Sequence, residues 1–306
     1  MEVESAETLT TKPGPGSYVG RFAPSPTGPL HFGSLVAAVA SYADARAAAG
    51  QWLLRIEDVD TTRCSRQAET EIRRQLAAYG FEHDGEVIRQ SERTQCYETA
   101  LQQLSAAGCL FMCTCTRKQL AATRRNSEGE TIYPGTCRDS LHNGAVHSLR
   151  MRVPAVQDAQ ISFFDRAIGG VTQNLATEIG DFVLRRADGQ FAYQLAVVVD
   201  DALQGVTHVV RGQDLLLNTP RQIFLQRALR LRATDYLHVP LVRDVHGDKL
   251  SKQTRATAIS VDEVLPSLHR AWAFLKQEPV GAVASSSAFW RRASGIWSVA
   301  SLAHRD

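Results

Sequence analysis

Hydrophobic positions along the chain fall into short blocks that switch between strand and helix spacing. Tyr18-Val19 opens the first block and gives way to residues 21–35, where three prolines and two glycines in fifteen positions exclude a helix or a central strand. The Ala-rich stretch 34–46 then reads as a helix, so the order is strand, shaped loop, helix N-terminus. Residues 51–60 form an apolar strand running into Glu57, Asp58 and Asp60, with Arg63 just beyond. From 65 to 103 the spacing is helical: Glu69, Ile72, Leu76 and Tyr79 recur, Gly80 breaks the run, and Tyr97, Leu101 and Leu104 resume it.

Farther along, residues 161–170 alternate as a short strand and turn, and 179–186 with 191–201 predict a hairpin around Asp188-Gly189 whose second strand enters a buried run. Residues 206–214 predict another buried strand, ending in Arg211 and Asp214. A helix follows through Gln222, Leu225 and Leu229, with Thr219 as its cap and Pro220 at the first helical position. Residues 240–249 predict a hairpin, 261–275 a helix, 285–287 a Ser-rich linker, and a last segment carries Trp290 and Trp297. Strands alternating with helices predict an α/β fold, and no internal repeat is evident.

Composition bounds the class. A chain of 306 residues with 44% hydrophobic and 22% charged positions is expected to hold about two domains and a sizeable core. A net charge of +2 decides nothing about nucleic acid, because a local basic face can exist within it. No apolar run reaches the roughly 20 residues of a membrane span, and the acidic start (Glu2, Glu4, Glu7) is no secretory signal. A cytoplasmic protein is expected, with residues 1–17 as a disordered polar tail. There is no Walker A sequence and no G-x-G-x-x-G, which removes support for a P-loop ATPase or a dinucleotide enzyme.

Four of the six cysteines are Cys109, Cys113, Cys115 and Cys137. Cys113, Cys115 and Cys137 offer three thiolates, one short of a closed tetrahedral zinc shell; free cytosolic thiols are the alternative reading of the same spacing. The histidines show no metal spacing.

Two clusters change the picture. His31-Phe32-Gly33-Ser34 stands at the helix start, where unpaired amides favour an anion. Lys249-Leu250-Ser251-Lys252-Gln253 lies about 215 residues on, counting from Ser34 to Lys249. Together they resemble the HIGH and KMSKS signatures of class I aminoacyl-tRNA synthetases, with Ser34 and Gln253 standing where the signatures end in His and Ser. The segment Arg55-Ile56-Glu57-Asp58 is similar to that of the glutamyl type, as is the run from Asp181 to Leu229. Tyr133-Pro134-Gly135-Thr136-Cys137 resembles the second half of a zinc site in the short glutamyl-queuosine tRNA(Asp) synthetases, the family that residues 18–260 resemble most.

The resemblance implies a Rossmann-type parallel sheet split over residues 18–110 and 191–240, an inserted zinc-bearing α+β domain at 111–190, and a KLSKQ loop with a short helical C-terminal segment at 241–306, without an anticodon-binding domain. It implies L-glutamate binding by Arg21, Phe22, Ala23, Pro24, Ser25, Glu57, Tyr193 and Arg211, Glu57 meeting the amino group. ATP falls to His31, Gly33, Ser34, Lys249 and Lys252, with His31 and the two lysines as the catalytic set and Mg²⁺ accompanying the nucleotide. One Zn²⁺ is implied on Cys113, Cys115, Tyr133 and Cys137, with the long insert 117–132 between its halves as a mobile loop. The expected reaction is tRNA-independent formation of glutamyl-adenylate, then transfer to queuosine in the anticodon of tRNA(Asp), by a monomer. The alternatives are a truncated glutamyl-tRNA synthetase charging a 3′ end and a non-catalytic tRNA-binding relative. Physical chemistry adds a selection rule: a guanidinium such as Arg21 pairs bidentately with a carboxylate, and an amide in its place is rejected by roughly 10⁴.

Overall fold

A computed structural model describes residues 17–140, 147–243 and 257–303. In chain order the elements are β1 (Val19–Phe22), α1 (Phe32–Ala47), β2 (Gln51–Ile56), α2 (Arg66–Ala78), β3 (Ile88–Arg89), α3 (Thr94–Ala106), β4 (Leu110–Cys113), α4 (Arg117–Ala121), β5 (Ser148–Met151), β6 (Gln160–Asp165), β7 (Gly169–Asn174), α5 (Leu175–Glu178), β8 (Phe182–Arg185), α6 (Tyr193–Leu203), β9 (His208–Gly212), α7 (Thr219–Ala228), β10 (Asp235–Val239), α8 (Val264–Phe274) and α9 (Ser286–Ile296).

Parallel strands run β3-β2-β1 on one side and β9-β10 on the other. Thr207, just before β9, joins the two halves: its amide donates to Val19 O at 2.9 Å and its hydroxyl accepts from Val19 N at 2.8 Å. The chain therefore winds outward from β1 to β3 and returns to the other side of β1 at β9. That reversal is a topological switch point, and in open α/β sheets ligands bind outside the carboxyl ends of the strands there. β10 also pairs in parallel with β6, which carries β7 antiparallel. The segment 111–190 thus feeds strands into the main sheet and also builds the separate antiparallel sheet β4-β5-β8.

Small side chains let α1 lie close to the sheet. Leu35, Val36, Ala38, Val39, Ala40 and Ala43 are all buried, and Tyr42 meets Trp52, Phe81 and Trp290 edge-on. Asp44 on the same helix accepts from Tyr18 Oη at 2.5 Å, Arg166 at 2.6 and 2.9 Å and Trp297 Nε1 at 2.9 Å, joining four distant parts of the chain at one carboxylate.

The structure corrects four expectations. Residues 193–203 form helix α6 in place of a second hairpin strand. The turn closes as expected (Arg186 N to Gln190 O, 2.8 Å) and Phe191 bridges Arg185, but the chain coils from Tyr193. A buried run of valines carries no period that separates strand from helix, and β-branching biases the reading toward strand. Thr219 is the first helical residue of α7, flanked by Asn218, and its hydroxyl accepts from Arg211 instead of capping. Ser285 begins a helix, accepting from Ala288 N at 3.2 Å, where a linker was expected. The insert 117–132 holds α4, fastened by a Thr116/Gln119 capping box, and an Arg125–Thr131 bridge, so it is built of regular pieces and is not a bare loop. The 240–249 hairpin lies outside the described residues from 244 onward.

Trp290 fastens α9 to the body: it is buried against Tyr42, Phe81 and Phe289, and its Nε1 donates to Tyr79 O at 2.9 Å. Trp290→Ala is expected to cost about 3–5 kcal/mol of unfolding free energy, read by urea denaturation.

Candidate active site

A loop with few amides must be held by its carbonyls. Pro24 O accepts from Glu57 N at 3.0 Å, Pro26 O from Ser65 N at 3.0 Å, and Leu30 N donates to the buried Gln75 Oε1 at 2.8 Å. The loop is thereby tied to β2 and α2 and opens a cavity of about 710 Å³ at the switch point. Arg21, Phe22, Ala23, Pro24, Ser25, Glu57, Tyr193 and Arg211 all line it, from four separate places in the chain.

Its floor is an ion chain. Asp201 accepts from Arg21 Nε at 3.2 Å and Arg55 Nη1 at 2.7 Å, and Arg55 Nη2 reaches Glu57 at 3.3 Å. Arg55 is fully buried and Arg21 nearly so. Burial pushes the Glu57 carboxyl up, against the opposing pull of Arg55 and Arg21. Burial works the same way on Asp201, but the two guanidiniums outweigh it and hold that carboxyl below its ordinary value. Across the cavity, Arg211 donates Nη1 to Tyr193 Oη at 3.3 Å, Nη2 to Thr219 Oγ1 at 2.8 Å and Nε to His238 Nε2 at 3.1 Å. All three acceptors are uncharged. Chemically, the guanidiniums of Arg21, Arg63 and Arg211 and the carboxylates of Glu57 and Asp60 line a single cavity with one net positive charge, which suits a small acid that also carries an amine.

His31 flanks α1 at its N-terminus. Its ring accepts from Ser34 N at 3.3 Å and lies 3.2 Å from Ser34 Oγ, so the serine that replaces a histidine of the signature steadies the ring. His31, Gly33 and Ser34 border a second cavity of about 230 Å³, which shares Ser34, Ala37 and Gly212 with the first. Val242 lines this second cavity, and Ala258 bridges His31. The chain therefore leaves toward residues 244–256 and returns from them at the N-terminus of α1. Lys249 and Lys252 lie outside the described residues.

Cys113, Cys115 and Cys137 form a separate cluster, their sulfurs all within 4.8 Å of one another. Tyr133 Oη sits 3.4 Å from Cys113 Sγ and 3.8 Å from Cys115 Sγ, and Cys115 and Cys137 are 3.5 Å apart. Tetrahedral zinc with bonds of about 2.3 Å to sulfur requires sulfurs about 3.8 Å apart, so the donor set fits the ion. The backbone of Tyr133 lies against Gly180, where a Cβ would come within 2.5 Å of Tyr133 O; Gly180 also has φ +70°, so a side chain is excluded twice over.

Arg55, Asp201, His238 and Asp165 were missed by sequence reasoning. Asp201 was placed at the end of a strand, and only the helical register of α6, which sets Tyr193 and Asp201 eight residues apart on one face, would have found it. Nothing in the sequence marks His238 or Asp165.

Residues 18–277 match the family described as tRNA synthetases class I (E and Q), catalytic domain. A protein of Thiobacillus denitrificans named glutamyl-Q tRNA(Asp) synthetase is 55% identical over 274 residues, covering 89% of this chain and 90% of that protein. One of the same name from Burkholderia cenocepacia is 53% identical over 285 residues, covering 92% of this chain and 96% of that protein. The crystal structure of a glutamate tRNA ligase from Elizabethkingia meningosepticum, in complex with its amino acid, superposes with a TM-score of 0.76 at 24% identity, a likeness of fold. The superposition covers 94% of this chain and 66% of that one, so this chain spans about two thirds of the ligase's length.

The raised Glu57 carboxyl has a measurable sign. A folded-state pKa above the unfolded value means that ionised Glu57 works against folding, increasingly as pH rises from about its ordinary value of 4.5 through the raised pKa. Unfolding free energies measured against pH should show Glu57→Gln gaining on the wild type across that window and keeping the gain at neutral pH, although the variant loses a carboxylate from the cavity.

Proposed function

The chain belongs to the class I tRNA synthetases (E and Q), and from that premise we propose that it activates L-glutamate with ATP and transfers it to queuosine in the anticodon of tRNA(Asp). The names and high identity of the relatives support the tRNA-modifying assignment. The observation that carries the activation step is the gathering of Arg21, Glu57, Tyr193 and Arg211 around one cavity that continues to the N-terminus of α1.

In this reading the α-carboxylate of glutamate attacks the α-phosphate of ATP in line. One carboxylate oxygen bonds to phosphorus, the bond from that phosphorus to the bridging oxygen breaks, and pyrophosphate leaves. No proton moves, so the enzyme contributes placement and charge, on the order of 7–11 kcal/mol when two reactants are held in register. Arg21 meets the side-chain carboxylate, Glu57 the ammonium, and Arg211 with Tyr193 completes the pocket beside Phe22, Ala23, Pro24 and Ser25. His31, Gly33 and Ser34, at the N-terminus of α1, receive the phosphates of ATP, which arrives as its Mg²⁺ complex; Lys249 and Lys252 meet the charge that develops on the α- and β-phosphates. Activation proceeds without tRNA. Among the described residues no helix is long and apolar enough to cross a membrane, and a cytoplasmic monomer fits this reading.

Zinc belongs to the same proposal: Cys113, Cys115, Cys137 and Tyr133 would hold one ion, a crosslink between the end of β4 and the 133–137 turn. Metal analysis should return one zinc per chain, lost in Cys137→Ser; zinc-free wild-type protein with three titratable thiols would refute the site.

The activity is tested with labelled glutamate and ATP. Pyrophosphate exchange should occur without tRNA and vanish in Arg21→Ala, and the label should reach the anticodon nucleotide of queuosine-containing tRNA(Asp). Label at the 3′ end of tRNA(Glu) would overturn the assignment.

A further inference from the structure

Arg211 is held by a buried relay that reaches no solvent and that no step above uses. Asp165, at the end of β6, is completely buried, and both its oxygens are spoken for: Oδ1 accepts from Ala167 N and Ile168 N, each at 3.0 Å, and Oδ2 accepts from His238 N at 3.0 Å and lies 2.7 Å from His238 Nδ1. A guanidinium can only donate, so His238 Nε2 must accept from Arg211 Nε, and the ring proton sits on Nδ1, facing Asp165 Oδ2. Nε2 is then a bare lone pair, and it faces Arg211 Nε at 3.1 Å and the Thr219 hydroxyl at 3.3 Å. The His238 ring lies parallel to Tyr236, 6.2 Å away, which fixes its plane.

This arrangement has an electrostatic purpose. Had β10 carried a carboxylate at position 238, it would orient Arg211 and neutralise it. Neutral imidazole orients the guanidinium and leaves its charge for the cavity, while the compensating anion, Asp165, stands one ring farther back. Arg21 differs: its Nε is paired directly with Asp201. We propose that Asp165 and His238 are positioning residues that set the tautomer and hence the aim of Arg211, so that its charge, with no carboxylate in direct contact, receives a substrate carboxylate. The inference rests on the glutamate-activating reading given above.

Two substitutions separate aim from bulk. Glutamine places its amide oxygen near the position of Nε2, whereas asparagine keeps only a group near Nδ1. In pyrophosphate exchange, His238→Gln is expected to hold a glutamate KM near that of the wild type, and His238→Asn to raise it about tenfold or more, the weight of one charge-assisted hydrogen bond. The ATP KM should stay unchanged in both. Equal glutamate KM in the two variants, or an ATP KM that climbs in step, would overturn the proposal. A second measurement needs no variant: in ¹⁵N-histidine-labelled wild-type protein, with His238 assigned through its ring contacts to Tyr236, the proton should reside on Nδ1 and Nε2 should be unprotonated. A proton on Nε2 would overturn the proposal. Wild-type protein that exchanges no pyrophosphate with glutamate overturns the activity reading alone, since the tautomer measurement stands without it.

Discussion

Buried charge is the constraint around which this molecule is arranged. Arg55 is completely enclosed, and Asp201 and Arg21 are nearly so. Taking such groups out of water costs several kcal/mol each unless they are paired with good geometry. Pairing is possible only when β1, β2 and α6 converge, because Arg21, Arg55 and Asp201 come from those three elements. The ion chain therefore does two things at once: it makes wrong packings of the switch point expensive, and it leaves Arg21 and Glu57 bordering a cavity at fixed positions.

The proline-rich loop complements that floor. Prolines remove donors, so the loop cannot be pulled into a neighbouring strand, and two of its carbonyls, Pro24 O and Pro26 O, are claimed by Glu57 N and Ser65 N. Its far end delivers His31 to the start of α1, where first-turn amides have no helical partners. The same place receives the chain on either side of residues 244–256, through Val242 and the bridge at Ala258. The N-terminus of α1 and the two ends of the 244–256 stretch are thus brought together by ordinary strand and helix geometry.

Much of this was readable from residue order. The loop between β1 and α1 and the acids at the end of β2 follow from local composition, where proline and glycine constrain the backbone directly; thiol spacing alone left free cysteines open, and the cluster with Tyr133 came from the family resemblance. Helix α6 was not readable, because five consecutive buried apolar residues look alike in a strand and in an enclosed helix. Arg55 and Asp165 were hidden for a related reason. A charged residue inside a strand reads as an outward-facing position, and only tertiary contacts show that its partner lies 146 residues away in sequence for Arg55 and 73 for Asp165.

Charge balance links the floor of the cavity to what it can accept. Among the residues that line the cavity, Arg21, Arg63 and Arg211 contribute three positive charges, and Glu57 and Asp60 two negative ones, leaving one positive charge at its wall. Glutamate carries one net negative charge and restores neutrality; glutamine carries none and leaves a guanidinium desolvated without a partner. Glu57 completes the logic. Burial raises its pKa in the absence of substrate, and on the proposed reading the ammonium of glutamate favours the ionised form that pairs with Arg55. On the proposed reading, seating both ends of the amino acid completes the charge of the cavity, so selectivity rests on the sum of these charges together with the contact at Arg21.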